Sequence, residues 1–383
     1  MNDFTHPSRS ESAALKYTGS VMPPRNRVPT ALLLLVLVLA ACAGCAAGGG
    51  EEQIASGADP DSTHGALAQD ADSAGVPSHL RALLVVAQEN ERGVAFVNPD
   101  ARKVIALTRV GWTPREVAAS PDRERVFVVN YSGDQFGAGS ISILSARARR
   151  EVDRLDLYPY GAFHGLVAGR NGVDLYVASE TRRSVLRVNL ASHQIDRTYV
   201  LPHGSPHLMA LDATETRLFV TDASSPTLFA VNLASGGVQE ARVGHGPEGV
   251  VLAPDGSALW VANRDDGTIS VLDPYTLTAM GTFGVGRDPM RIAFDQDMRR
   301  AVVVNAGEGS LMVFDARTHA RLATVPIGND PVGLAMEPDG SRAYVASTRD
   351  DEIDVVDLAT NTMVDRIKVG MTPSGLVWMD VGR

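Results

Sequence analysis

"VGHGPEGVVLAPDGSALWVANRDDGTISVLDPYTLTAMGTFGVG" occupies Val243 to Gly286 and ends as it begins, on Val-Gly. The pair, with Val or Ile before the glycine, recurs at Gly244, Gly286, Gly328 and Gly370, each 42 residues after the last. Every unit then places a Pro a few residues on (Pro247, Pro289, Pro331, Pro373) and an apolar run. A turn such as "APDG" or "EPDG" follows, then a second run ("LWVAN", "VVVN", "AYVAS") and a third ending near Asp ("TISVLD", "SLMVFD", "EIDVVD"). Short Val-, Ile-, Phe- and Tyr-rich runs cut by Gly, Pro and Asp turns read as antiparallel strands. Four strands per unit of this length make a propeller blade.

Three earlier units fit the template with altered lengths: Gly111 to Leu157, Tyr158 to Leu201 and Pro202 to Val243. That makes six complete blades. The remnants are complementary: Arg81 to Val110 ("ALLVVAQ", "GVAFVN", "VIALTRV") supplies strands two to four, and Gly370 to Arg383 ("PSGLVWMD") supplies an innermost strand. Residues 80–383 are therefore expected to form an all-β, seven-bladed β-propeller of four-stranded antiparallel blades, its ring closed by pairing the N- and C-terminal strands. Closure leaves no unpaired seam around the ring.

"FVVN", "LYVAS", "LFVTD", "LWVAN", "VVVNA" and "AYVAS" resemble the YVTN-repeat β-propellers, the YncE-like group, across nearly all of residues 81–383. The His and Trp-Asp signatures of WD40 blades are missing. The resemblance implies a propeller of the cell envelope without implying one activity, because a fold does not specify a function.

The front of the chain reads as an address. "ALLLLVLVLAAC" carries an apolar run from Ala31 to Ala41 after Arg25 and Arg27. The run is too short to span a bilayer core of about 30 Å and has the form of a signal-peptide h-region, so residues 1–41 are expected to be removed on export. Leu39-Ala40-Ala41-Cys42 resembles a bacterial lipobox, which implies lipidation of Cys42 and a membrane anchor. Ala43 after it points to the outer membrane, with the domain facing the periplasm or the cell surface. Met22 opens a signal peptide of ordinary proportions and is the expected start. Residues 42–79 hold an acidic stretch without Lys or Arg from Gly48 to Ser78, a flexible tether.

The chain has 383 residues, about 44 % of them hydrophobic, enough for a large core. A formal charge of -10 argues against a phosphate-binding surface, so nucleic acid is an unfavoured partner. Cys42 and Cys45 are the only cysteines, which excludes disulfides, thiolate metal sites and a Cys nucleophile from the folded part. P-loop, dinucleotide-binding and nucleophile-elbow motifs are also missing from the sequence.

Repeats give an internal control, since a ligand site should break their pattern. The blade from Gly111 carries extra residues after strand two, and the next opens with the long entry "YPYGAFHGL". Both insertions fall on one face and are expected to bring Tyr131, Gln135, Phe136, Tyr158, Tyr160 and Phe163 towards the channel mouth, unless they only cover their own loops. The residue after the blade-entry Pro, or its equivalent, reads Arg115, His164, His207, Glu248, Met290, Val332 and Ser374 around the ring. His164, His207 and Glu248 could converge on a divalent metal or do acid–base work, with Arg115 beside them and Glu180 and Asp222 at the ends of second strands as further ligands. The competing reading is a solvated or structural role, since His203 and His245 occupy polar loops too.

Three functions remain open. One is a monomeric, lipid-anchored binding scaffold whose irregular face takes a protein, a cell-wall component or a small ligand. Another is a metal-dependent enzyme resembling propeller lactonases and lyases, and a third is binding of nucleic acid or a redox partner. The start assignment has its own check: the unprocessed precursor from an export-blocked strain should begin at Met22, and recovery of residues 1–21 would refute it.

Overall fold

The computed structural model describes residues 80–132 and 139–382; the address segment, the tether, Gln135 and Phe136 lie outside the described residues. Seven four-stranded antiparallel sheets form the ring, and chain order within each blade runs from the innermost strand outwards. The innermost strands are Trp112–Ala119, Phe163–Ala168, Pro206–Leu211, Pro247–Leu252, Pro289–Phe294, Pro331–Met336 and Pro373–Asp380, defining blades 1 to 7. Blade 7 is the composite: Pro373–Asp380 pairs with Ala82–Gln88, matching Leu84 with Trp378 and Val85 with Val377. The expected ring and its closure are borne out. Among the described residues no helix is long and apolar enough to cross a membrane.

Second and third strands are buried on both faces, which is why they read as unbroken apolar runs. Successive side chains point to opposite neighbours. Leu83 and Val85 pack with Val126 and Val128 of blade 1, whereas Leu84 and Val86 pack with Tyr344 and Ile353 of blade 6. The core is thus a set of apolar layers between blades.

The repeated Val-Gly pair has a steric cause. Second strands carry a buried polar residue at or near their ends: Gln88, Asn130, Ser179, Asp222, Asn263, Asn305 and Ser347. In blade 4 the Gly244 N–H donates to Asn263 Oδ1 at 3.0 Å, while Asn263 Nδ2 donates to the Thr268 and Ser270 hydroxyls. A Cβ on Gly244 would lie 2.6 Å from the Asn263 side chain, and one on Gly328 would lie 2.7 Å from Ser347. Only glycine lets the linker come that close.

Each innermost strand then begins with a register shift. Pro206 pairs with Asp222 and Met209 with Val220; Pro247 pairs with Asn263 and Val250 with Val261. Similar shifts follow Pro114, Phe163, Pro289, Pro331 and Pro373. Proline suits this edge position because it lacks an N–H, and the bulge re-aims the residue after it. The third residue is glycine in four blades, since a Cβ on Gly165, Gly249, Gly333 or Gly375 would meet the next blade's backbone at 2.0–2.7 Å.

Gly333→Ala, whose Cβ would stand 2.0 Å from the Ser374 carbonyl oxygen, should cost about 2–4 kcal/mol in urea unfolding. Gly281→Ala, where the Cβ meets nothing within 4 Å, should stay within about 0.5 kcal/mol of wild type.

Candidate functional site at the channel mouth

The bulges place Arg115, His164, His207, Glu248, Met290, Val332 and Ser374 directly after the blade-entry Pro or its equivalent, at the start of the innermost strands. A second ring comes from the residue after each buried strand-two polar group: Glu89, Tyr131, Glu180, Ala223, Arg264, Ala306 and Thr348. The two rings meet on one face. Charged, imidazole and phenol groups occupy a contiguous arc from blade 7 through blade 4, and blades 5 and 6 carry Met290, Val332, Ala306 and Thr348.

His164 Nδ1 lies 2.6 Å from Glu180 Oε1, and the Tyr131 hydroxyl donates to Glu180 Oε2 at 3.2 Å. The rings of His164 and His207 meet edge-on with centroids 4.2 Å apart, and the Tyr131 ring stands tilted 5.0 Å from that of His164. One ligand atom each from His164, Glu180 and His207 lies within 4.8 Å of the other two. His207 Nδ1 is 3.2 Å from Glu248 Oε2, but the two are not aligned for a hydrogen bond, so both atoms are buried without one. The other Glu248 oxygen accepts from Arg264 at 2.6 Å. Arg115 pairs with Glu89 at 3.4 Å and lies over the Tyr131 ring at 5.1 Å.

Burial sets the charge states here. It holds His207 well below the usual imidazole range, aided by repulsion from His164 and from Arg291, Arg115 and Arg264. It pushes the Glu248 carboxyl up against the pull of Arg291 and Arg264, and raises Glu89 against Arg115 and His164. The Tyr131 phenol is raised by burial and by the Glu180 charge.

One residue further along the inner strands, Glu116 of blade 1 and Arg291 of blade 5 take the position that is glycine in four other blades. Their side chains form an ion pair between blades that are not neighbours in the ring, so the pair reaches across the channel. At the opposite end of the inner strands of blades 2 to 4 is a cavity of about 350 Å³, lined chiefly by Val167, Met209, Leu211, Val250 and Leu252. Asp212 on its edge is engaged by the N–H groups of Thr216 and Arg217 in its own turn.

Of the residues singled out in the sequence, Arg115, Tyr131, His164, Glu180, His207 and Glu248 come together. Asp222 does not join them. It is fully buried; desolvation alone would raise its carboxyl, but the Ser205 N–H and the Ser225 and Ser224 hydroxyls hold it low, so it is blade 3's linker tie. Phe163 stands in the blade-entry slot usually held by Pro and is wholly buried in the layer with Phe127 and Ile141. Tyr160 packs against that same layer and reaches the Thr198 hydroxyl, and Tyr158 is 76 % exposed. The sequence reading missed Glu89 and Arg264, which the position after strand two would have revealed, and the Glu116–Arg291 bridge, which the lost glycines foreshadow.

A closed all-β ring whose chemistry gathers at one channel mouth defines a seven-bladed β-propeller with a polar axial site. The family model described as YNCE-like beta-propeller matches residues 250–382, so the resemblance read from the repeats is borne out over that stretch. No curated protein matches the sequence. Among solved structures, a functionally unknown protein from Desulfotomaculum acetoxidans superposes with a TM-score of 0.67 at 14 % identity, covering 78 % of this chain and 99 % of that one. The periplasmic gluconolactonase of Pseudomonas aeruginosa gives 0.66 at 18 % identity, with 78 % and 99 % covered. Hydrazine synthase of Kuenenia stuttgartiensis gives 0.65 at 16 %, with 72 % and 92 % covered. These likenesses establish the fold alone.

Stability of metal-free protein should fall as pH drops. The unfolded chain binds a proton on His207 near its ordinary pKa of about 6.5, whereas the folded protein refuses it until lower pH, so stability is lost below neutrality. Glu248 has the opposite sign, because its folded carboxyl takes a proton more readily than the unfolded one. In urea unfolding with chelator, wild type should lose about 1 kcal/mol between pH 7.5 and 5.5. His207→Gln should lose none.

Proposed function

We propose that this protein is a ligand-binding propeller of the cell envelope that takes a small polar molecule at its channel mouth. One observation carries the reading. Two repeat-equivalent positions that accept Met, Val, Ala, Ser and Thr elsewhere hold Arg115, His164, His207 and Glu248, and Glu89, Tyr131, Glu180 and Arg264, on contiguous blades. Blade building does not require those side chains, so recognition is the economical reason for burying them together. Their convergence favours a small ligand over the flat surface of a protein. The lipobox-like "LAAC" supports anchoring through Cys42 in the outer membrane, and the signal-like run before it supports export.

A second reading, lactone hydrolysis, is favoured by the His164–Glu180 contact. A carboxylate holding Nδ1–H leaves Nε2 to take a proton from water as it attacks a carbonyl, and that proton can pass to the departing ring oxygen. The fold shared with a periplasmic gluconolactonase makes sugar lactones the first compounds to try.

Glucono-δ-lactone, gluconate and N-acetylmuramic acid should be titrated against the intact chain by calorimetry, with lactone hydrolysis followed at constant pH. At least one compound should bind, and at least tenfold more weakly to Arg115→Ala and Arg264→Ala. Binding unaffected by both substitutions would move the site away from the mouth and refute the proposal. Hydrolysis abolished in His164→Gln with binding kept would establish the enzymatic reading.

A further inference from the structure

The charges at the mouth do not cancel evenly. Three arginines point there, and each has its own glutamate: Arg115 with Glu89, Arg264 with Glu248, and Arg291 with Glu116. Arg264 also holds the exposed Asp265 at 2.9 Å, and among the carboxylates of the two rings Glu180 is the one without an arginine. Its partners are the His164 imidazole and the Tyr131 hydroxyl, neither of which brings a permanent positive charge. The uncompensated negative charge therefore sits beside two imidazoles from adjacent blades.

We propose that His164, His207 and Glu180 bind one divalent transition-metal ion of the Zn²⁺ type. This deepens the ligand-binding reading of the same site by naming a cation as its first occupant. The donor set of two imidazoles and a carboxylate is the one such ions favour, and three protein donors leave a coordination position for a small oxygen ligand. Donors around a tetrahedral Zn²⁺, with bonds of about 2.0–2.1 Å, stand roughly 3.4 Å apart. These three already lie within 4.8 Å of one another, so small side-chain rotations gather them.

Glu248 has a supporting part rather than the ligand role its place in the repeat suggested. It is buried, Arg264 holds one oxygen, and the other faces His207 Nδ1 at 3.2 Å with neither atom hydrogen-bonded. A modest turn of the His207 ring converts that contact into an Nδ1–H donated to the carboxylate. The opposite ring nitrogen is then presented to the metal, the usual outer support for a ligating histidine.

The test uses the intact chain purified without a polyhistidine tag, its metal content measured by mass spectrometry and its affinity for Zn²⁺ and Mn²⁺ by calorimetry after chelation. About one ion per chain is expected. Glu180→Gln and His164→Ala should each weaken binding at least tenfold, and Glu248→Gln about tenfold through His207. Circular dichroism and Gly281→Ala serve as folding controls, and Glu180→Gln, a near-isosteric change at a partly exposed position, keeps the test open should His164→Ala not fold. Absence of binding to folded wild type overturns the proposal. So does binding unchanged in Glu180→Gln and His164→Ala, which would put the ion elsewhere, for instance on the acidic stretch from Gly48 to Ser78. No metal binding together with Arg115-dependent binding of gluconate would overturn the metal while leaving the small-ligand site.

Discussion

The structure depends on a contact between a glycine with no side chain and the buried polar residue ending the next second strand. Asn263 illustrates it: one end accepts the Gly244 N–H, and the other donates to two hydroxyls of strand three. A buried amide must have its hydrogen bonds, and here they fix the linker, the second strand and the third to one another. Because the linker is pinned, the following Pro enters the sheet at a set height, and the bulge after it turns one side chain out of the ladder. Repeated around the ring, this local arrangement creates seven equivalent stations at the channel mouth.

Function can be written on such stations without disturbing the scaffold. Met290 and Val332 show that an apolar residue serves, so exchanging them for Arg115 or His207 alters the mouth and leaves the blade intact. The cost is electrostatic. Ionisable groups brought so close and so far from water must compensate one another, and the arginine–glutamate pairs do so. His207 gives way instead and stays neutral. In the resulting charge network Glu180 is the ring carboxylate that no arginine compensates.

Much of this was legible in the sequence. The 42-residue spacing gave blade length, and the complementary remnants gave the seam, because both follow from covalent order. The stations after the blade-entry Pro were legible for the same reason, since Pro marks strand entry in most blades. For the aromatic residues of the long entry the sequence left two readings open, because size and position do not say which side of a sheet a ring takes. Phe163 fills the slot of a proline and so turns into the layer between blades 1 and 2 instead of the channel. For Asp222 the sequence could not choose, because a buried tie and a metal ligand use the same carboxylate, and its bonds to Ser205, Ser224 and Ser225 are those of a tie. Glu116 and Arg291 lie far apart along the chain, and no spacing rule joins them.

The seam has a consequence for how the molecule comes into being. Val85 finds Val377 only after nearly the whole domain has been made, so the ring remains an open arc throughout synthesis. Local hairpins can form early, but the loss of chain freedom on joining the ends falls on a single late event. Until then two half-covered blade faces stand at the ends of the arc. The final strand works as a latch, and a chain truncated before Pro373 would be left with six complete blades, a three-stranded remnant and nothing holding the circle shut.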